Sequence, residues 1–157
     1  MIEKKIFESV TSKSQEIIKS TLPRHEKLQL ICDLLKTSIA HYDWVGFYIT
    51  DSRNAQELVL GPFSGEPTEH KRIAFGKGIC GQAAQAKSTF VVQDVLKETN
   101  YLSCSFKVKS EIVVPVMDGD KVLGELDIDS HRVAPFDETD SSLLESICQE
   151  LAAKKII

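Results

Sequence analysis

The spacing of apolar residues changes along this chain, and that change is the tightest constraint on its fold. Both ends carry helical spacing, while the middle carries strand-type alternation and β-branched or aromatic residues. From Ile2 to about Lys19 the apolar positions Ile6, Val10, Ile17 and Ile18 recur at helical intervals. A second helix is predicted from about His25 to Ile39, with Leu28, Leu30, Ile31, Leu34 and Leu35 on its apolar face. Thr21-Leu-Pro-Arg separates the two. Trp44-Val-Gly-Phe-Tyr-Ile-Thr50 then reads as a strand, with Asp51-Ser-Arg-Asn as a turn and Glu57 to Phe63 as its hairpin partner. Lys71 to Phe75 is a short extended run, and Gly76-Lys-Gly-Ile-Cys80-Gly81 is a glycine loop entering an alanine-rich helix. Thr89 to Asp94 reads as a strand, and Lys97 to Lys109 as an irregular segment or short helix. Glu111 to Met117 and Lys121 to Asp129 form two strands about Asp118-Gly119-Asp120. A last helix, capped by Asp137 or Thr139, ends near Lys155. This order predicts an α+β domain: a central antiparallel sheet of about six strands with the N- and C-terminal helices packed on one face. The 157 residues carry no linker or repeat and read as one domain, with residues 1–20 a peripheral or dimerising helix.

Charge and cysteine usage narrow the setting. The net charge is −4 and no basic stripe is present, which argues against a nucleic-acid partner. No apolar run approaches the roughly 20 residues that span a bilayer, so no membrane partner is expected. Met1-Ile-Glu-Lys-Lys-Ile lacks the apolar core of a signal peptide, which predicts a cytoplasmic protein. The four cysteines, Cys32, Cys80, Cys104 and Cys148, form no C-x-x-C pair. Structural disulfides are not expected in a reducing compartment, but a transient catalytic one is allowed.

Several residues are candidates for chemistry. Cys104 sits in a polar stretch beside Lys107 and Lys109, and nearby positive charge raises a thiol's thiolate fraction. The competing reading is an inert packed thiol. Cys80 begins a helix after two glycines, where unpaired N–H groups and the helix dipole favour thiolate; the competing reading, which spacing alone favours, is a loop-to-helix packing residue. Asp127 and Asp129 alternate along one strand and share a face, with Glu111 on the neighbouring strand. A solvated outer face accounts for these acids, and so does a pocket for an ammonium group in which one acid stays protonated. Trp44 and Tyr48 share a face of the first strand, either as core or as the apolar wall of a pocket. Cys32 and Cys148 occupy packing positions in amphipathic helices, and His25, His41, His70 and His131 show no metal-ligand spacing.

Taken together, Trp44-Val-Gly-Phe-Tyr48, Leu58-Val-Leu-Gly-Pro-Phe-Ser-Gly65, Gly76-Lys-Gly-Ile-Cys-Gly81, Asp94-Val95, Ser110-Glu-Ile-Val-Val-Pro115 and Gly124-Glu-Leu-Asp-Ile-Asp-Ser130 resemble the free methionine-(R)-sulfoxide reductases. These are stand-alone GAF-domain enzymes, and the resemblance covers about residues 40–150. It implies a GAF fold with a small-molecule pocket in front of the sheet. It also implies reduction of free methionine (R)-sulfoxide, with no bound cofactor and with thioredoxin and its NADPH-dependent reductase as the external electron source. On the family's motifs, Cys104 falls on the catalytic cysteine and Cys80 on a resolving cysteine. Glu111, Asp127 and Asp129 fall on the carboxylates that hold the substrate, and Trp44 and Tyr48 on pocket aromatics. His70 stands where many members have a third cysteine, so the chain resembles a two-cysteine branch.

The resemblance implies a sequence of steps. Cys104 attacks the sulfoxide sulfur, Asp129 supplies the proton, and Glu111 and Asp127 hold the ammonium. Trp44 packs on the methyl-thio end. Cys104 is left as a sulfenic acid, which condenses with Cys80 to a disulfide. A homodimer through the terminal helices is the accompanying expectation. The rival reading is a non-enzymatic GAF sensor, since fold does not fix function. Phe136-Asp-Glu resembles part of a cyclic-nucleotide motif, but no Asn-Lys pair precedes it suitably. A third reading is a homodimeric scaffold.

Overall fold

A computed structural model describes residues 1–103 and 105–157. Helices α1 (Lys4–Lys19) and α2 (Arg24–Ser38) lead into strands β1 (Trp44–Asp51) and β2 (Asn54–Ser64). Strand β3 (Arg72–Ala74), helix α3 (Gly78–Ala86) and strand β4 (Phe90–Val92) follow. A three-residue 3-10 turn at Val95–Lys97 opens the stretch before β5 (Ser110–Asp118), β6 (Lys121–Ser130) and α4 (Glu138–Ala153). Among the described residues the strands form one six-stranded sheet, ordered β3-β2-β1-β6-β5-β4, with every neighbouring pair antiparallel. This is the α+β arrangement that the spacing predicts.

The alternation of each central strand divides the sheet into two faces. Val45, Phe47, Ile112, Val114, Leu126 and Ile128 point to one side, where they pack against α2 and α4. Each of these fully buried side chains contributes about 1.5–3 kcal/mol through burial. Val10 and Ile18 of α1 belong to this cluster, and α1 packs against α2 and α4. The segment before α1 is tied down as well: the Ile2 amide donates to Thr139 Oγ1 at 3.0 Å. Cys32 and Cys148 lie in the same cluster, as their helical positions predict. Desolvation raises both thiols far above their ordinary range.

The opposite face is covered by α3 and by residues 65–71, 98–103 and 105–109. Tyr48, Leu58 and Val113 meet Ile79, Cys80 and Ala83 there. The short side chains of α3 let it lie close to the strands. A methyl group built on Gly81 would stand 2.5 Å from the Ala74 carbonyl oxygen. Helix α4 begins as its sequence predicts, with Asp137 as the cap. The Asp137 carboxylate accepts from the Thr139 amide at 2.8 Å, and Asp140 accepts from the Asp137 amide at 2.9 Å.

Candidate active site

The register of the three central strands assembles the predicted residues. Trp44 pairs with Asp129, which pairs with Glu111; Gly46 pairs with Asp127; Tyr48 pairs with Glu125. All of these side chains project to the face beneath α3, because Leu126 and Ile128 between them belong to the helical core. The solvated-face reading of the acids therefore fails. Asp127 and Asp129 are each 4% exposed, Glu111 is 6% and Glu125 is 0%.

The wall borders two spaces. The larger is a cavity of about 410 Å³ lined by Trp44, Asp129, Glu66, Thr68, Ser105 and His131, among others. That volume suits a small ligand such as an amino acid. The smaller is a void of about 10 Å³ lined by Tyr48, His70, Cys80, Leu102, Glu111 and Asp127, among others. Asp129 lines the larger space, and Glu111, its direct cross-strand neighbour, lines the smaller. The residue expected as nucleophile, Cys104, lies outside the described residues, while Leu102 lines the void and Ser105 the larger cavity.

The aromatic side chains hold the loops that roof the site. Trp44 Nε1 donates to the Glu66 carbonyl at 2.9 Å, and its ring stacks on Phe63 at 5.5 Å. The ring lies across Gly46, where any Cβ would collide with it, and beside Gly65, whose φ of +135° is open to glycine. Tyr48 Oη donates to the His70 carbonyl at 2.7 Å. The His70 ring, standing at the position where a third thiol would be, is 2.9 Å from the Ser103 carbonyl through Nε2. Lys107 is paired with Glu66 at 3.2 Å, so its charge is spent on the loop across from it.

Electrostatics overturn one expectation. The start of α3 was expected to favour a Cys80 thiolate, yet the Cys80 pKa is pushed well above its ordinary value. Burial is the largest cause, followed by the charges of Asp127, Glu111 and Glu125. Its Sγ lies 3.7 Å from Glu111 Oε2, as a thiol donor. A helix terminus offers about half a charge, which cannot offset dehydration plus adjacent carboxylates. Burial likewise raises Asp129, with further pressure from Asp127 and Asp43. It raises Asp127 too, against hydrogen bonds from Glu111 and Cys80. The site thus retains protons that isolated carboxyl groups would release.

Glu125 is the residue that the sequence reading passed over. It lies two positions before Asp127 on the same face, and neither carboxylate oxygen has a hydrogen-bond partner among the described residues. Burial first, then Asp127, holds its pKa well above the usual range. Period two in Glu125, Asp127 and Asp129 was the available signal.

A sheet flanked by terminal helices on one face, with a roofed small-molecule cavity on the other, defines a GAF domain, and the GAF family model matches residues 23–154. Within that class the chain belongs to the free methionine-R-sulfoxide reductase family. It is 40% identical over 121 residues to the free methionine-R-sulfoxide reductase of Saccharomyces cerevisiae, covering 76% of this chain and 67% of that one. It is 32% identical over 118 residues to the Escherichia coli enzyme of the same name, covering 75% and 69%. The X-ray structure of the Neisseria meningitidis free methionine-R-sulfoxide reductase, in complex with its substrate, superimposes with a TM-score of 0.89 at 35% identity, over 98% of this chain and 92% of that one. No helix among the described residues is long and apolar enough to cross a membrane.

Proposed function

We propose that this protein reduces free methionine (R)-sulfoxide to methionine. The observation that carries this reading is a wall of buried carboxyl groups in a chain of this family: Asp129 lines an amino-acid-sized cavity, and Glu111 and Asp127 line a neighbouring void that also holds the Cys80 thiol. A purely sensory GAF module has no need of a thiol among dehydrated carboxylates.

In this reading Glu111 and Asp127 meet the substrate ammonium, and Trp44 and Tyr48 wall the pocket. The Cys104 thiolate attacks the sulfoxide sulfur, and the S–O bond breaks as the oxygen takes a proton and passes to the Cys104 sulfur. Asp129 is the proton donor, which suits a carboxyl group whose burial keeps it protonated. Methionine leaves, and Cys104 ends as a sulfenic acid. The Cys80 thiol then condenses with it, releasing water and forming a Cys80–Cys104 disulfide. That bond needs Cα atoms within about 7 Å. Thioredoxin, acting in the cytoplasm, restores both thiols by exchange, with its own reductase and NADPH behind it. No third thiol takes part, because His70 occupies that place. Dimerisation through the terminal helices goes with this reading. Sedimentation velocity showing only a monomer at micromolar concentration would remove that part alone.

The test is methionine release from the (R)-sulfoxide with dithiothreitol. Cys104→Ser is expected to release none, even in a single turnover. Cys80→Ser is expected to release about one methionine per enzyme and then stall with thioredoxin. Sustained thioredoxin-linked turnover by Cys80→Ser would remove the resolving role. Wild-type protein inert toward the (R), (S) and peptide sulfoxides would remove the reductase reading.

A further inference from the structure

The small void under α3 brings together three groups that can ligate a metal ion: a thiol and two carboxyl groups. Cys80 Sγ and one oxygen each of Glu111 and Asp127 lie within 4.8 Å of one another, and all three side chains are buried. A second observation points to a ligand there. Asp127 Oδ1 is buried without a hydrogen-bond partner among the described residues. A dehydrated carboxylate oxygen without a partner costs about 1–3 kcal/mol or more, so something with positive charge or a donor belongs beside it. The void holds about 10 Å³, the space of one water or one ion and far too little for an amino acid.

The dimensions discriminate between ions. Tetrahedral Zn2+ with bonds of about 2.3 Å to sulfur and about 2.0 Å to oxygen sets its sulfur and oxygen ligands about 3.5 Å apart. Cys80 Sγ and Glu111 Oε2 are 3.7 Å apart. One sulfur and two oxygens in a tight space suit a small thiophilic ion with a low coordination number, not Mg2+ or Ca2+ with their oxygen shells. The charge balance agrees. A dication offsets two of the three negative charges that two carboxylates and a thiolate carry together.

We propose that the reduced protein binds one thiophilic divalent cation of the Zn2+ class between the Cys80 thiolate, Glu111 and Asp127 beneath α3. Binding forms an S–metal bond and releases the thiol proton to solvent; no oxidation occurs. In the reductase reading the ion would also compete with the substrate ammonium and occupy the resolving thiol. That consequence rests on the reading above, whereas the site itself does not.

The test uses Co2+ as a spectroscopic probe on the intact reduced protein, with no turnover involved. One equivalent is expected to give a sulfur-to-cobalt charge-transfer band, displaced by one equivalent of Zn2+ and unaffected by excess Mg2+. Cys80→Ser should abolish the band. Asp127→Asn, which keeps the shape and removes the charge, should weaken binding by about tenfold or more. Cys104→Ser and Cys148→Ser should retain it. Should Cys80→Ser fold poorly, Asp127→Asn decides. No band in wild type, a band that survives Cys80→Ser, or equal affinity in Asp127→Asn would overturn the proposal. Methionine release is assayed separately, so a protein can fail either test and pass the other.

Discussion

Glu125 shows how one side chain can set the pH response of a fold. Its ordinary value is 4.5, and burial holds it well above that in the native state. The folded chain therefore binds more protons than the unfolded chain above about pH 4.5. Stability is complete below that value and falls as the pH rises through the folded pKa. Asp127 and Asp129 act in the same direction. Urea midpoints measured from about pH 5 to pH 8 should decline for wild type, and less steeply for Glu125→Gln, whose amide does not titrate. Parallel profiles would mean that Glu125 releases its proton without cost. A second prediction concerns Gly46, on which no side chain fits while the Trp44 ring lies over it. Gly46→Ala should cost about 1–3 kcal/mol through overpacking. It should also shift the emission of the single tryptophan, because that ring must move to make room. An unchanged spectrum would mean that the strand, not the ring, gives way.

Among the elements, α3 and α4 contrast in how they are anchored. Helix α4 has its own signal in the chain: Asp137 caps it, and Asp140 reaches back to the cap amide. The hydrogen bond from Thr139 and the nearby N-terminal amine hold the Asp137 carboxyl at a pKa of about 2. Asp137→Ala should lower stability by about 1 kcal/mol near neutral pH. That deficit should shrink as acid protonates the wild-type cap, which chemical denaturation at two pH values would show. Helix α3 has no such side-chain cap. It is held by tertiary contacts: the Gly78 amide donates to Asn100 Oδ1 at 2.9 Å, and Gln82 reaches the Asn100 carbonyl at 2.8 Å. Asn100, before β5, therefore positions the helix that carries Cys80.

Across the whole molecule, one sheet carries two layers with different tasks. The helical layer is a dry core that includes α1, and the α3 layer is a roofed, acidic site. We read residues 1–157 as one folding unit. Tryptophan emission from the site layer and far-UV circular dichroism from the helical layer should then report coincident unfolding transitions; two separate midpoints would divide the chain. The element order, the strand faces and the cap of α4 were legible in the sequence because each follows from local spacing and local hydrogen bonding. The shared face of Asp127 and Asp129 was legible for the same reason, and motifs in order carried the family. Burial was not legible. Whether those acids meet water or α3 depends on residues 65–71, 98–103 and 105–109 folding back over the sheet, through contacts such as His70 with Ser103 and Lys107 with Glu66. The direction of the Cys80 pKa and the importance of Glu125 depended on it too. A side chain's electrostatic state is set by what excludes water from it, and distant segments of the chain supply that exclusion.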